Sequence, residues 1–323
     1  MTSPIQSQST HHLTGPYLGQ QLPGDEPVLF APGVVSTDMY ERDVAMTPDG
    51  KEFYFCLAVG LFKYTTILRM REVDGQWQGP EVAPFAANPA YMFMEPFISP
   101  DGQHFYFMSN MPDSGQTEPS EQTDIWVMTR EENGWGIPGK LPAPVNSAAS
   151  EYFPSVTFDG TIYFTRENQE TRASHIFRSR LVDGVYQEAE ELPEVINCTA
   201  NLFNAYIAPD ESYLIVPIAG RADSYGRTDY YVAFRTPDDQ WSEPINLGDK
   251  VNTAGGQEWS PYVSPDGKFF FFMSSRTAGE VFFDHDRMSY EALSRLARQP
   301  GNGNADIYWM SSAFIEKLRP EGF

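Results

Sequence analysis

The residues of this chain best suited to chemistry are acidic, and they recur at fixed distances ahead of a repeated turn. Five turn signatures can be read: Thr47-Pro48-Asp49-Gly50, Ser99-Pro100-Asp101-Gly102, Thr157-Phe158-Asp159-Gly160, Ala208-Pro209-Asp210-Glu211 and Ser264-Pro265-Asp266-Gly267. Eight residues before each turn aspartate stand Glu41, Phe93, Glu151, Leu202 and Glu258, and six before stand Asp43, Glu95, Phe153, Asn204 and Ser260. Strand side chains alternate with period two, so both sets are expected to share one orientation. On that count Glu41, Asp43, Glu95, Glu151, Asn204 and Glu258 converge at one place. Convergent carboxylates suit glycosidic bond cleavage, one protonated as acid and one ionised as base or nucleophile. The competing reading makes the glutamates part of the repeat itself, capping strand ends or bonding to a neighbouring unit.

Aromatic and cationic residues stand beside these carboxylates. Tyr40, Tyr91, Tyr152, Phe203 and Trp259 accompany Arg42, Arg166, Arg221 and Arg276. Aromatic faces with charged hydrogen-bonding groups suit sugar rings, and Arg42, Tyr91, Tyr152, Asn204, Trp259 and Arg276 form the expected ligand-binding set. Ordinary core packing is the alternative for the aromatics. Arg166, Arg221 and Arg276 recur at similar places after a second strand, which favours structural ion pairs with the next repeat. Asp284-His285-Asp286 puts three adjacent polar side chains in one loop, a weak metal signal, and no metal is assigned. The Gly-x-Ser-x-Gly elbow and the phosphate-binding and dinucleotide fingerprints are absent, so no cofactor is expected.

The elements that must position these groups follow from the spacing. The turn aspartates lie 52, 58, 51 and 56 residues apart. Each turn precedes an aromatic run such as Phe53-Tyr54-Phe55 or Phe105-Tyr106-Phe107, a third run such as Asp124-Ile125-Trp126-Val127 or Asp306-Ile307-Tyr308-Trp309, and a fourth beginning near Trp77, Trp135, Tyr186 or Trp241. Proline pre-sets the turn, and aspartate and glycine complete it. Four short antiparallel strands, repeated five times, predict an all-β fold, a five-bladed β-propeller. The last repeat lacks a fourth strand, while Pro27 to Glu41 matches Pro244 to Glu258 with the same spacing of 14 residues. An N-terminal strand is therefore expected to complete the last blade and close the ring.

The predicted division is a disordered or extended tail over 1–26, then one propeller over 27–323: closing strand 27–40, blades at 41–90, 91–148, 149–200, 201–256 and 257–311, and a C-terminal tail or helix over 312–323. Blade 5 carries an insertion over 277–305 with a helix from Ser289 to Arg298, and blade 2 a shorter polar one from Pro112 to Gln122, read as a mobile tip. The combination of Ser-Pro-Asp-Gly, aromatic strand and Asp-Ile-Tyr/Trp-Val resembles the PD40 repeats of TolB-like, WD40-like propellers, over nearly everything from Pro27 to Trp309. That resemblance implies a central funnel lined by the innermost strands. It implies little about activity, because propellers of this type include scaffolds, peptidase caps and carbohydrate-active enzymes.

Composition narrows the partners. Acidic residues outnumber basic ones 44 to 22, for a formal charge of −22, which repels phosphate backbones and argues against nucleic acid. Cys56 and Cys198 are too few for a disulfide scaffold and are expected as buried thiols. No window approaches a transmembrane span, and the polar first residues lack a signal-peptide core, so the chain reads as cytoplasmic as written, or periplasmic or secreted if a leader was removed. The functional expectation is a non-catalytic propeller, commonly a monomer, binding a glycan, peptide or protein at its funnel. The alternative is a glycoside hydrolase or lyase using the funnel carboxylates.

Overall fold

The computed structural model describes residues 13–113, 115–278 and 287–323, and these fold as five antiparallel blades. Blade 1 runs Tyr40–Met46, Glu52–Val59, Tyr64–Val73 and Gln76–Val82. Blade 2 runs Phe93–Ile98, His104–Ser109, Asp124–Glu131 and Gly139–Lys140, and blade 3 runs Ser150–Val156, Ile162–Glu167, Ser174–Ser179 and Glu190–Glu191. Blade 4 comprises Tyr206–Ile207, Tyr213–Ala219, Thr228–Phe234 and Ile245–Asn246. Blade 5 takes Pro261–Val263, Phe269–Ser274 and Asp306–Ser311 from the C-terminal side and Val28–Leu29 from the N-terminal side.

The closure follows from pairing and packing together. Val28 lies opposite Trp309 and Leu29 opposite Tyr308, and the Phe30 amide donates to the Ile307 carbonyl at 2.9 Å. Phe30 is fully buried, its ring 4.9 Å from Phe53 of blade 1 and 5.1 Å from both Phe271 and Trp309 of blade 5. One side chain thus joins the first and last blades.

A second device reinforces that junction. The Leu13 and Gly15 carbonyls accept from the backbone and indole N–H of Trp77 in blade 1, each at 2.9 Å. Tyr17 packs edge-on against Phe269 and donates its hydroxyl to Asp266 of blade 5 at 2.8 Å. From residue 13 onward the segment expected as a tail is therefore packed across blades 5 and 1.

Turn chemistry explains the repeat signature. Thr47, Ser99, Thr157 and Ser264 each donate a hydroxyl to the turn aspartate two residues on, and that aspartate also accepts a backbone amide two residues further. Blade 4 replaces the glycine with Glu211, which adopts φ 60° and is held by the Tyr163 hydroxyl at 2.6 Å and by Arg235 at 3.1 Å. The departure in sequence is matched by partners that hold the strained backbone.

Between blades, asparagines pin the connecting segments. Asn146 bonds both backbone groups of Ile125, Asn197 those of Ile176, and Asn252 those of Tyr230. At the ring closure Ser36 donates to Ile307 instead. Helices cover Tyr290–Leu296, capped by the Ser289 hydroxyl, and Ala313–Lys317.

Candidate functional site

The innermost strands do not keep the expected alternation. Their register shifts between Arg42 and Val44, between Met94 and Phe97, and between Tyr152 and Ser155. At the six-back position Asp43, Glu95, Phe153 and Asn204 have φ of 53°, 58°, 51° and 54°. Left-handed backbone in non-glycine residues costs on the order of 1–3 kcal/mol each and persists only where neighbours hold it. Here a side chain of the preceding blade accepts three of the four strained amides. Glu95 N–H donates to Asp43 at 3.3 Å, Phe153 N–H to Glu95 at 2.8 Å and Asn204 N–H to the Thr165 hydroxyl at 2.9 Å. Ser260 N–H donates to the Tyr230 hydroxyl at 2.9 Å, and the Ser260 hydroxyl donates to Asp43, which closes a ring of blade-to-blade bonds.

The bulge separates the two sets of carboxylates. Glu41 accepts from the amide and hydroxyl of Thr37, Glu151 from those of Ser147, and Glu258 from the hydroxyls of Thr253 and Ser274. All three are buried, and Thr37, Ser147 and Thr253 tie them to the segments leading into their blades. Burial pushes the Glu41 and Glu258 carboxyls up to about 7, against the opposing hydroxyl donors, and raises Glu151 in the same way. The expected convergence of all five acids is thus not what the fold produces, because an extra residue per strand breaks the period-two count.

What does come together is a cavity of about 360 Å³ whose wall includes Arg42, Glu95, Tyr152 and Trp259. Arg42 is buried, with Nε 2.9 Å from Asp43 Oδ1, Nη2 3.3 Å from Glu95 Oε1, and its guanidinium 5.8 Å from the Trp259 ring centre. Burial pushes the Glu95 carboxyl up to about 8; Arg42 opposes the shift and Asp43 adds to it. Tyr152 donates its hydroxyl to Ser174 at 3.1 Å, and burial raises its phenol. The Trp259 indole N–H, the Tyr40 hydroxyl and the Asn204 side-chain carbonyl are buried atoms with no hydrogen-bond partner among the described residues.

Three expected ligand contacts do not line this cavity, the buried Asn204 among them. Tyr91 borders a separate apolar groove with Leu57 and Tyr64 and donates to the Thr117 carbonyl at 3.1 Å. Arg276 donates to the carbonyls of Lys250 and Val251 and stacks 4.8 Å from Tyr308. Arg166 does the same within blade 3, bonding Glu151 and the carbonyls of Pro144 and Val145, and Arg221 pairs with Asp223 in blade 4. These arginines clasp their own blade and the segment leading into it, not the next one.

The cavity also has walls that the turn count missed: Phe62, Glu121, Gln122, Glu167, Gln169 and Arg172. They sit at the ends of second strands or in the connections to third strands. In an antiparallel blade that end lies beside the start of the innermost strand, which is the signal that could have found them. Glu121 and Gln122 belong to the polar insertion of blade 2, which therefore borders the site. Asp284, His285 and Asp286 lie outside the described residues, and among those described no three acidic, histidine or cysteine side chains group to hold a metal. Among the described residues no helix is long and apolar enough to cross a membrane.

The strand order defines a five-bladed β-propeller, and its blades 1, 2, 3 and 5 wall a polar and aromatic cavity. No protein-family profile matches the chain, and no curated protein matches it. Among solved structures it is similar to a provisionally named TolB from Agrobacterium tumefaciens, at 14% identity over 84% of this chain and 90% of that one, TM-score 0.46. It is similar also to the arabinanase Arb43A of Bacillus subtilis, at 13% identity over 85% and 95%, TM-score 0.48. An exo-β-1,3-galactanase from Clostridium thermocellum aligns at 12% identity over 88% and 62%, TM-score 0.49. The propeller assignment rests on the strand pairing described above.

Proposed function

We propose that this protein is a PD40-like propeller that binds a saccharide at the mouth of its central channel without cleaving it. The observation that carries this reading is the state of the two buried acids that hold Arg42. Asp43 accepts from Arg42 and Ser260 on one oxygen and from the Glu95 amide on the other. Glu95 accepts from Arg42 on one oxygen and from the Phe153 amide on the other. Carboxylates so committed hold the ring together and are poorly placed to shuttle protons. Trp259 and Tyr152 offer faces for a sugar ring, and Gln122 and Gln169 offer amide groups suited to hydroxyls.

One observation favours a second reading, a glycoside hydrolase or lyase. Glu95, in the cavity wall and held up to about 8, is protonated at neutral pH beside another carboxylate, the pattern of a general acid. A thermal-shift and product-analysis screen of oligosaccharides on the wild type and Glu95→Gln separates the two. Binding without products supports the first reading; products from the wild type that Glu95→Gln abolishes while remaining folded would establish the second.

A further inference from the structure

The charge around the cavity sorts the saccharides it can accept. Two guanidiniums and three carboxyls line the wall, and both cations are already paired: Arg42 with Asp43 and Glu95, Arg172 with Glu167 at 2.7 Å. Glu121 is exposed at the rim and forms no ion pair among the described residues. A ligand carboxylate entering here finds no uncommitted cation in the wall, and an anion taken into a cavity without a partner is strongly disfavoured. A ligand amine meets the opposite environment: a free carboxylate at Glu121 and the aromatic faces of Trp259, Tyr152 and Phe62, which attract cations. The formal charge of −22 adds a field of the same sign.

We infer that the cavity selects saccharides bearing a protonated amine over neutral ones and excludes those bearing carboxylates, with Glu121 as the residue that sets the preference. The inference rests on the saccharide-binding reading above and deepens it. Glu121 stands outside the ring of blade-to-blade bonds, so it can be changed without disturbing the fold.

The test is calorimetric titration at about pH 6, where amino-sugar amines and ordinary carboxyls are both charged. The probes are a glucosamine oligomer, its fully N-acetylated counterpart and an oligouronate of equal length, each against the wild type and Glu121→Gln. At ~20 mM salt the amine form is expected to bind about five- to tenfold tighter than the acetylated form, and the gap should shrink to about twofold at ~0.5 M as screening sets in. The oligouronate should not bind. Glu121→Gln should close most of the gap between the amine and acetylated forms, as expected for loss of one rim charge. Equal binding of amine and acetylated forms, tighter binding of the uronate, or a gap unchanged in Glu121→Gln overturns the inference and leaves saccharide binding standing. Failure of all three probes to bind overturns both.

Discussion

The backbone amide of Phe153 donates a 2.8 Å hydrogen bond to Oε2 of Glu95, so a buried acid of blade 2 holds the strained first strand of blade 3. The same acid pairs with Arg42 of blade 1. Glu95 therefore spans three blades, and its removal strands both a strained amide and a buried guanidinium. Glu95→Ala is expected to destabilise by about 1–3 kcal/mol for each buried donor left without its acceptor. Glu95→Gln keeps a carbonyl acceptor and should lose clearly less. Chemical denaturation of the two variants checks the order; equal stability of Glu95→Ala and wild type would refute the bridging role.

Stability should fall as pH rises from about 5 to 8. Burial holds Glu41 and Glu258 up to about 7 and Glu95 up to about 8, so the folded state keeps protons that the unfolded state releases near 4.5. Below the unfolded value that stabilisation is fully present, and it is lost as pH rises through the folded values. For Glu258 the shift amounts to at most about 3 kcal/mol. At the acid end the turn aspartates act oppositely. Burial would raise Asp49, Asp101, Asp159 and Asp266, but hydroxyl and amide donors outweigh it and hold them low, so their contribution is lost as pH drops through those values. Melting temperature measured from pH 4.5 to 8.5 should decline, and Glu258→Gln should flatten the slope. A parallel slope in that variant would show that general acidic repulsion, not this site, sets the trend.

Ring closure is expected to depend on Phe30. Truncating a fully buried phenylalanine costs about 3–5 kcal/mol, and here the cavity opens between the first and last blades. Phe30→Ala should lower the unfolding midpoint sharply, whereas Tyr17→Phe, which loses only the hydroxyl bond to Asp266, should cost about 1 kcal/mol. Deletion of residues 1–36 removes both devices and should open the ring. Unfolding curves of the three variants check the ranking.

The connecting asparagines should behave alike. Asn146→Ala leaves the Ile125 N–H and the Leu141 carbonyl without their partner in a buried setting, while the Ile125 carbonyl keeps the Leu141 amide, and should destabilise by about 2–4 kcal/mol. Hydrogen exchange would place the effect: accelerated exchange at Ile125 beyond the global change is the expected signature.

The architecture was legible because it rests on local chemistry that repeats. Hydroxyl, aspartate and glycine at four of the five turns, and the match of Pro27–Glu41 to Pro244–Glu258, lead directly to five blades and to the closing strand paired with Trp309. The site was legible only in part. Arg42, Glu95, Tyr152 and Trp259 do meet at the cavity, but Glu41, Glu151 and Glu258 do not line it. The reason is the bulge, which gives no clear mark in sequence: Asp43 and Asn204 tolerate the left-handed region, but Glu95 and Phe153 do not advertise it. Tyr91 and Arg276 were misplaced for a different reason, since their partners are backbone carbonyls that composition cannot reveal.

The most direct test of saccharide binding at this mouth is an equilibrium titration that follows tryptophan fluorescence while neutral oligosaccharides are added to the wild type and to Trp259→Ala. Saturable binding, accompanied by no product and weakened about tenfold or more in a Trp259→Ala protein that keeps its melting temperature, is the predicted result for loss of a stacking aromatic. Undiminished binding in Trp259→Ala, or no binding by the wild type across the panel, would contradict it.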